Sequence, residues 1–88
     1  MAPFATGNRN MTTTVRMPQW GMGITEGAVL RWLKQAGDAV VEGEVLAEIE
    51  TAKAVEELES PASGTIRELL VKEGQSVAVR EPIALIDD

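Results

Sequence analysis

Apolar residues along this chain come in short runs closed off by glycine, and where they alternate with polar residues the period is two. Val29-Leu30-Arg31-Trp32-Leu33 is β-prone, and so is Ile66-Arg67-Glu68-Leu69-Leu70. Between Val45 and Glu50, Val45, Ala47 and Ile49 are expected on one face and Glu48 and Glu50 on the other. Gly37-Asp38 and Gly74-Gln75 punctuate as turns, where a residue without Cβ can take positive φ. No capping residue is followed by a 3.6-residue apolar period, and Pro61 and Pro82 further discourage a long helix. The pattern predicts eight strands, at about 14–18, 27–33, 38–42, 45–50, 54–59, 64–71, 75–79 and 83–87. An all-β domain follows: two four-stranded antiparallel sheets facing each other, or a flattened β-barrel.

The pattern is written twice. Residues 27–50 align without a gap on residues 64–87, an offset of 37. Gly27 meets Gly64, Val29 meets Ile66, Gly37 meets Gly74 and Val40 meets Val77. Leu46 meets Ile83, Ala47 meets Ala84 and Ile49 meets Ile86. A duplicated unit implies an approximate two-fold axis. The strands at 45–50 and 54–59 are joined by the hairpin Thr51-Ala52-Lys53-Ala54, whereas their symmetry mates meet at the chain termini without being joined. The hairpin tip and the termini are therefore expected at opposite ends of the domain. Applied to the first strand, the same offset assigns Lys53 to Arg16. The loop from Gln19 to Gly27, "QWGMGITEG", is expected beside Lys53.

Eighty-eight residues make one small domain, which buries roughly 60% of its unfolded surface. Residues 1–12 read as a disordered tail ahead of a domain at 13–88, with Met11 as a natural start. The chain has no cysteine and no histidine, which excludes disulfides, thiolate metal sites and the usual base near neutral pH. No catalytic residue and no metal site is expected. The net charge of −6 shows no basic footprint for nucleic acid, and no apolar run approaches the ~20 residues that span a bilayer. A cytoplasmic protein is the expectation, monomeric as an isolated domain.

One amine then stands out. Lys53 lies between two alanines and among Glu48, Glu50, Glu56, Glu57 and Glu59. Turn lysines are ordinarily solvated charges, and edge strands use charge to prevent pairing with other chains. As a nucleophile the amine starts poorly, because a free lysine titrates near 10.4 and only burial would lower that. A hairpin tip flanked by carboxylates keeps it protonated. The position suits an amine that another protein modifies, with Ala52 and Ala54 clearing space for that protein's active site.

The residues around it resemble a known family. "ETAKA" on a hairpin, preceded by "EGEVLAEI" and followed by "SPASG", is similar to the lipoyl domains of 2-oxo acid dehydrogenase complexes. So is the opening "MPQWGMGITEGAVLRWLKQAGDAV", and together they cover about residues 15–87. The resemblance implies a flattened β-barrel of two four-stranded sheets, belonging to the dihydrolipoamide acyltransferase component. It implies lipoate in amide linkage on Lys53, attached by a lipoate ligase or an octanoyl/lipoyl transferase. The partners it implies are a thiamine-diphosphate decarboxylase-dehydrogenase, an acyltransferase core and a flavoprotein dihydrolipoamide dehydrogenase. The domain would carry acyl groups and reducing equivalents between them, without membrane or nucleic acid. A bacterial cytoplasm fits first and a mitochondrial matrix second. Recognition by these partners would involve Glu50, Thr51, Ala52, Ala54, Trp20, Gly21 and Glu26. Amide formation would take the charge from −6 to −7.

Two residues depart from the family pattern: Ala52 replaces the commoner aspartate, and Glu56 stands where an apolar strand residue is usual. Trp32 is expected in the core, and Trp20 either packs or meets a partner. The glycines at 21, 23 and 27 are read as turn glycines, since no helix follows to bind phosphate. Biotinyl carriers share the fold and resemble Ala-Met-Lys-Met at the tip, where this chain has Thr-Ala-Lys-Ala. An unmodified sandwich module used in assembly is the remaining alternative.

Overall fold

The computed structural model describes residues 11–88. The first ten residues of the expected tail lie outside that range. Eight strands appear where eight are predicted: β1 (Thr12–Arg16), β2 (Glu26–Trp32), β3 (Ala39–Val40), β4 (Val45–Glu50), β5 (Val55–Glu59), β6 (Gly64–Leu69), β7 (Ser76–Ala78) and β8 (Pro82–Asp87). β1 begins and ends two residues earlier than the pattern suggests. Its last residue, Arg16, already faces Pro82, which has no N–H to extend the ladder. β3 and β7 are shorter than expected, because each is pinned by only a few ladder pairs at a sheet edge.

The strands form two antiparallel sheets, β1-β8-β6-β3 and β5-β4-β2-β7. Among the described residues no ladder joins the sheets, so the architecture is a sandwich and not a closed barrel. The two orders are images of each other under the repeat. The core is made of the same pairs: Val29 with Ile66, Leu46 with Ile83, Ala47 with Ala84 and Ile49 with Ile86, none more than 1% exposed. Adjacent residues are buried in β4 and again in β8. A bulge at Leu46 turns both Leu46 and Ala47 inward, and one at Ile83 does the same beside Ala84. Strict alternation therefore fails at Val45, which is only half-buried.

Backbone hydrogen bonds repeat as well. Gly37 N–H donates to the Ile66 carbonyl at 2.7 Å, and Gly74 N–H donates to the Val29 carbonyl at 2.6 Å. Positive φ recurs at Gly37 and Gly74, and again at Gly43 and its mate Arg80. Gly27 and Gly64 are glycines for lack of space. A Cβ on Gly27 would lie 2.8 Å from Ile49 Cγ2, and one on Gly64 would run into the Asp87 carbonyl.

The first strand follows a different offset. Leu58 faces Ala47 across one ladder and Val15 faces Ala84 across the other, so β1 maps onto β5 by 43 positions. Arg16 is therefore the mate of Glu59, and the expected link between Lys53 and Arg16 is corrected. Met17-Pro18 maps onto Ser60-Pro61. Met17 N–H donates to the Glu81 carbonyl as Ser60 N–H donates to that of Glu44. Pro18 and Gly27 are nine positions apart, whereas their mates Pro61 and Gly64 are three apart. The first copy thus carries six additional residues in this one loop.

Candidate functional site

β4 and β5 pair down to Glu50 opposite Val55, and residues 51–54 make the turn. Thr51 ties this turn together. Its N–H and its hydroxyl both donate to the Ala54 carbonyl, at 2.8 and 3.0 Å. The hydroxyl oxygen accepts from the N–H of Lys53 at 3.3 Å and of Ala54 at 3.2 Å. An Asx/ST-type turn of this kind fixes the backbone beneath Lys53 while its side chain stays outside. Ala52, Lys53 and Ala54 are all exposed.

The tip has a symmetry mate, the gap between the described ends of the chain. Asp88 N–H donates to the Met11 carbonyl at 3.1 Å, as Thr51 N–H donates to that of Ala54. The two-fold axis thus exchanges the lysine turn with Met11 and Asp88, the described ends, and sets them at opposite poles, as the repeat predicts. β1 starts beside Asp87 and runs five residues, about 17 Å, away from that pole. The loop after it reaches the tip, where Lys53 Nζ donates to the Met22 carbonyl at 3.3 Å.

Despite the surrounding glutamates, Lys53 makes no ion pair among the described residues; the pairs present are Arg31–Glu48, Lys34–Glu44 and Arg67–Asp87. Glu57 and Glu59 are exposed residues further along β5, and Glu48 pairs with Arg31 across the ladder. Glu56 is half-buried opposite the buried Ile49, at an inward-facing position of β5. The amine is thus held by one carbonyl and by no carboxylate.

The six additional residues also wall a cleft of about 320 Å³ beside the tip. Residues 23–26 and 50–52 line it, with Gly27 and Ala28 of β2 and Ser76 of β7. Glu50, Thr51, Ala52 and Glu26, all singled out from the sequence, meet here, and Ala54 closes the turn. Gly21 belongs to the same loop, where its carbonyl accepts from Ile24 N–H at 3.2 Å. Trp20 is elsewhere. It packs on the core and lines a second cleft with Pro18 and residues 57–59, down the outer edge of β5. Trp32 is buried as expected, and its Nε1 donates to the Val71 carbonyl at 3.0 Å. Sequence reasoning missed the Met22 carbonyl and the cleft. The unequal spacing of the two Pro-to-Gly segments was the signal that marked them.

A family model described as "Biotin-requiring enzyme" (Biotin_lipoyl) matches residues 13–86. The chain belongs to this biotin/lipoyl attachment family. Among curated relatives, this attachment domain is 43% identical over 77 residues to the "Dihydrolipoyllysine-residue acetyltransferase component of pyruvate dehydrogenase complex" of Staphylococcus aureus. It is 44% identical over 77 residues to the protein of the same description in Staphylococcus epidermidis. Each alignment covers 88% of this chain but 18% of the relative, so the chain spans about a fifth of those proteins. Among solved structures it matches the lipoyl domain of the 2-oxoglutarate dehydrogenase complex from Azotobacter vinelandii. That match has a TM-score of 0.64 and 31% identity, and covers 82% of this chain and 94% of the other. These matches fall on the lipoyl side of the attachment family, in which lipoate is joined to a lysine. An exposed amine between two exposed alanines, without a carboxylate partner among the described residues, fits such a linkage.

Proposed function

We propose that this domain is a lipoyl carrier, with Lys53 joined through an amide to lipoate by a lipoate ligase or an octanoyl/lipoyl transferase. The observation that carries this reading is the exposed Lys53 amine on a turn fixed by Thr51, at the pole opposite Met11 and Asp88. Once attached, the group supplies a redox-active disulfide able to take up an acyl group and two electrons. The protein's part is mechanical and electrostatic. Thr51 holds the Lys53 backbone, Ala52 and Ala54 leave the approach open, and the Met22 carbonyl accepts the Nζ proton that an amide retains. Delivery from a rigid turn raises the effective concentration of the carried group at each active site in reach.

By its similarity to the Staphylococcus proteins, the domain is assigned to the acyltransferase component of a 2-oxo acid dehydrogenase complex in a bacterial cytoplasm. Its partners are then a thiamine-diphosphate decarboxylase-dehydrogenase, the acyltransferase core and the flavoprotein dihydrolipoamide dehydrogenase. Glu50, Thr51, Ala52, Ala54, Gly21 and Glu26 form the face that these partners meet. Trp20, set along β5, acts in packing.

Intact mass spectrometry tests the reading. Protein made in cells with lipoate, biotin and both ligases should gain one lipoyl group and no biotinyl group. Lys53→Arg should gain neither, with a stability change within about 0.5 kcal/mol of zero, as expected for an exposed site. A biotinyl increment, or a lipoyl increment that survives Lys53→Arg, refutes the proposal.

A further inference from the structure

The six residues that distinguish Pro18–Gly27 from Pro61–Gly64 are not needed to connect the strands, since the second copy makes the same connection without them. Apart from Trp20, which packs along β5, they act at the lysine pole. They supply the Met22 carbonyl that takes Lys53 Nζ, and they line the cleft of about 320 Å³ that Ala52, the residue next to Lys53, also lines.

We propose that this cleft seats the neutral aliphatic arm carried by Lys53 when the arm is not engaged by a partner. The inference rests on the carrier reading above. Three features select this occupant. The cleft opens beside the residue that bears the arm, so occupancy is an intramolecular event. Its lining offers small apolar surface, Gly23, Ile24, Gly27, Ala28 and Ala52, with the hydroxyl residues Thr25, Thr51 and Ser76 interspersed. Glu26 and Glu50 also line it, which disfavours a carboxylate. Lipoate presents a carboxylate when free and none once its carboxyl is consumed in the amide, so the cleft discriminates the attached arm from the free acid. The exposed Met22 side chain and its carbonyl stand at the base of the arm. Seating would shield the arm from water between encounters while leaving it available to any partner that binds it more tightly.

The test compares isotope-labelled domain before and after lipoylation, with intact mass verifying complete modification in the second sample. Modification is expected to shift the amide signals of Thr25, Ala28 and Ser76 and the methyl signals of Thr25 and Ala28, which come from a loop and two strands distant in sequence from Lys53. Nuclear Overhauser contacts from the arm's methylenes to the Ala28 methyl are expected as well. Ser76 is exposed, so Ser76→Leu should fold, accept lipoate to the same mass and lose the contacts to Ala28 as the leucine fills the cleft. Absence of any mass increment refutes the carrier reading. Verified modification with shifts confined to residues 51–55, or shifts at Ala28 and Ser76 only when a partner protein is added, refutes the seat and leaves the carrier reading standing.

Discussion

Arg80 is the one non-glycine residue with positive φ among the described residues, at 77°, and its mate in the first copy is Gly43 at 91°. Both hold the same place: Gly43 N–H donates to the Ser60 carbonyl at 2.8 Å and Arg80 N–H to the Met17 carbonyl at 2.7 Å. A side chain in this conformation costs roughly 1–2 kcal/mol, partly offset because glycine loses more freedom on folding. Arg80→Gly keeps both backbone bonds, and the Arg80 carbonyl still accepts from Arg16 Nη1. It should therefore stabilise the domain by about 0.5–1 kcal/mol, which chemical denaturation would register as a raised midpoint without a change in slope. At the same scale Lys53 could be picked out from its sequence neighbours, because a lone amine between alanines is legible as such. Its hydrogen-bond partner could not, since a backbone carbonyl thirty-one residues away carries no sequence signature.

At the scale of elements, the strands were legible because β-prone runs and glycine turns recur at a fixed spacing. The bulges at Leu46 and Ile83 were not, since one inserted residue in an apolar run looks like any other apolar residue. The misplaced mate of Lys53 has a similar origin: the offset of 37 holds only after Gly27, and the loop before it breaks the register of the two copies. Shortening Pro18–Gly27 by six residues, to match Pro61–Gly64, should leave a folded β sandwich with the same far-ultraviolet circular dichroism. The loss of Ile24, 4% exposed, and of Trp20, packed on the core, should lower unfolding free energy by more than the ~1.5–3 kcal/mol of one buried side chain in a denaturant titration. The shortened protein, modified to the same mass, should show no contact between the arm and Ala28.

Over the whole molecule, charge sets the pH response more than any single pair sets stability. Lys34 Nζ lies 2.8 Å from Glu44 Oε2 and links the end of β2 to the turn before β4. The Lys34 hydrogen bond, then the Val41 N–H, hold Glu44 below the usual carboxylate range, and the Glu44 hydrogen bond holds Lys34 above the usual ammonium range. A carboxylate with a lowered folded pKa contributes stability that is present above its unfolded pKa and lost as pH falls through the folded one. The lysine's contribution is present below its unfolded pKa and lost as pH rises through its raised one. Glu44→Gln should thus flatten both the acid and the alkaline limbs of a stability–pH profile measured by thermal melts, with the protein near neutrality changed least in shape.

The equivalence of the lysine turn and the Met11–Asp88 pair has a consequence for topology. Asp88 and Met11 already form the closing hydrogen bond of a turn that lacks only its two central residues. Removing residues 1–10, joining Asp88 to Met11 through an Ala-Lys pair, cutting the chain between Ala52 and Lys53 and replacing Lys53 by alanine gives a circular permutant in which every strand keeps its neighbours. Circular dichroism should show it folded like the parent. Its new lysine would stand at the pole without the six-residue loop, beside Gly64 and Asp87. If a ligase reads only the turn, it should acylate this lysine at the parental rate; if it reads the loop as well, the permutant should fold and remain bare.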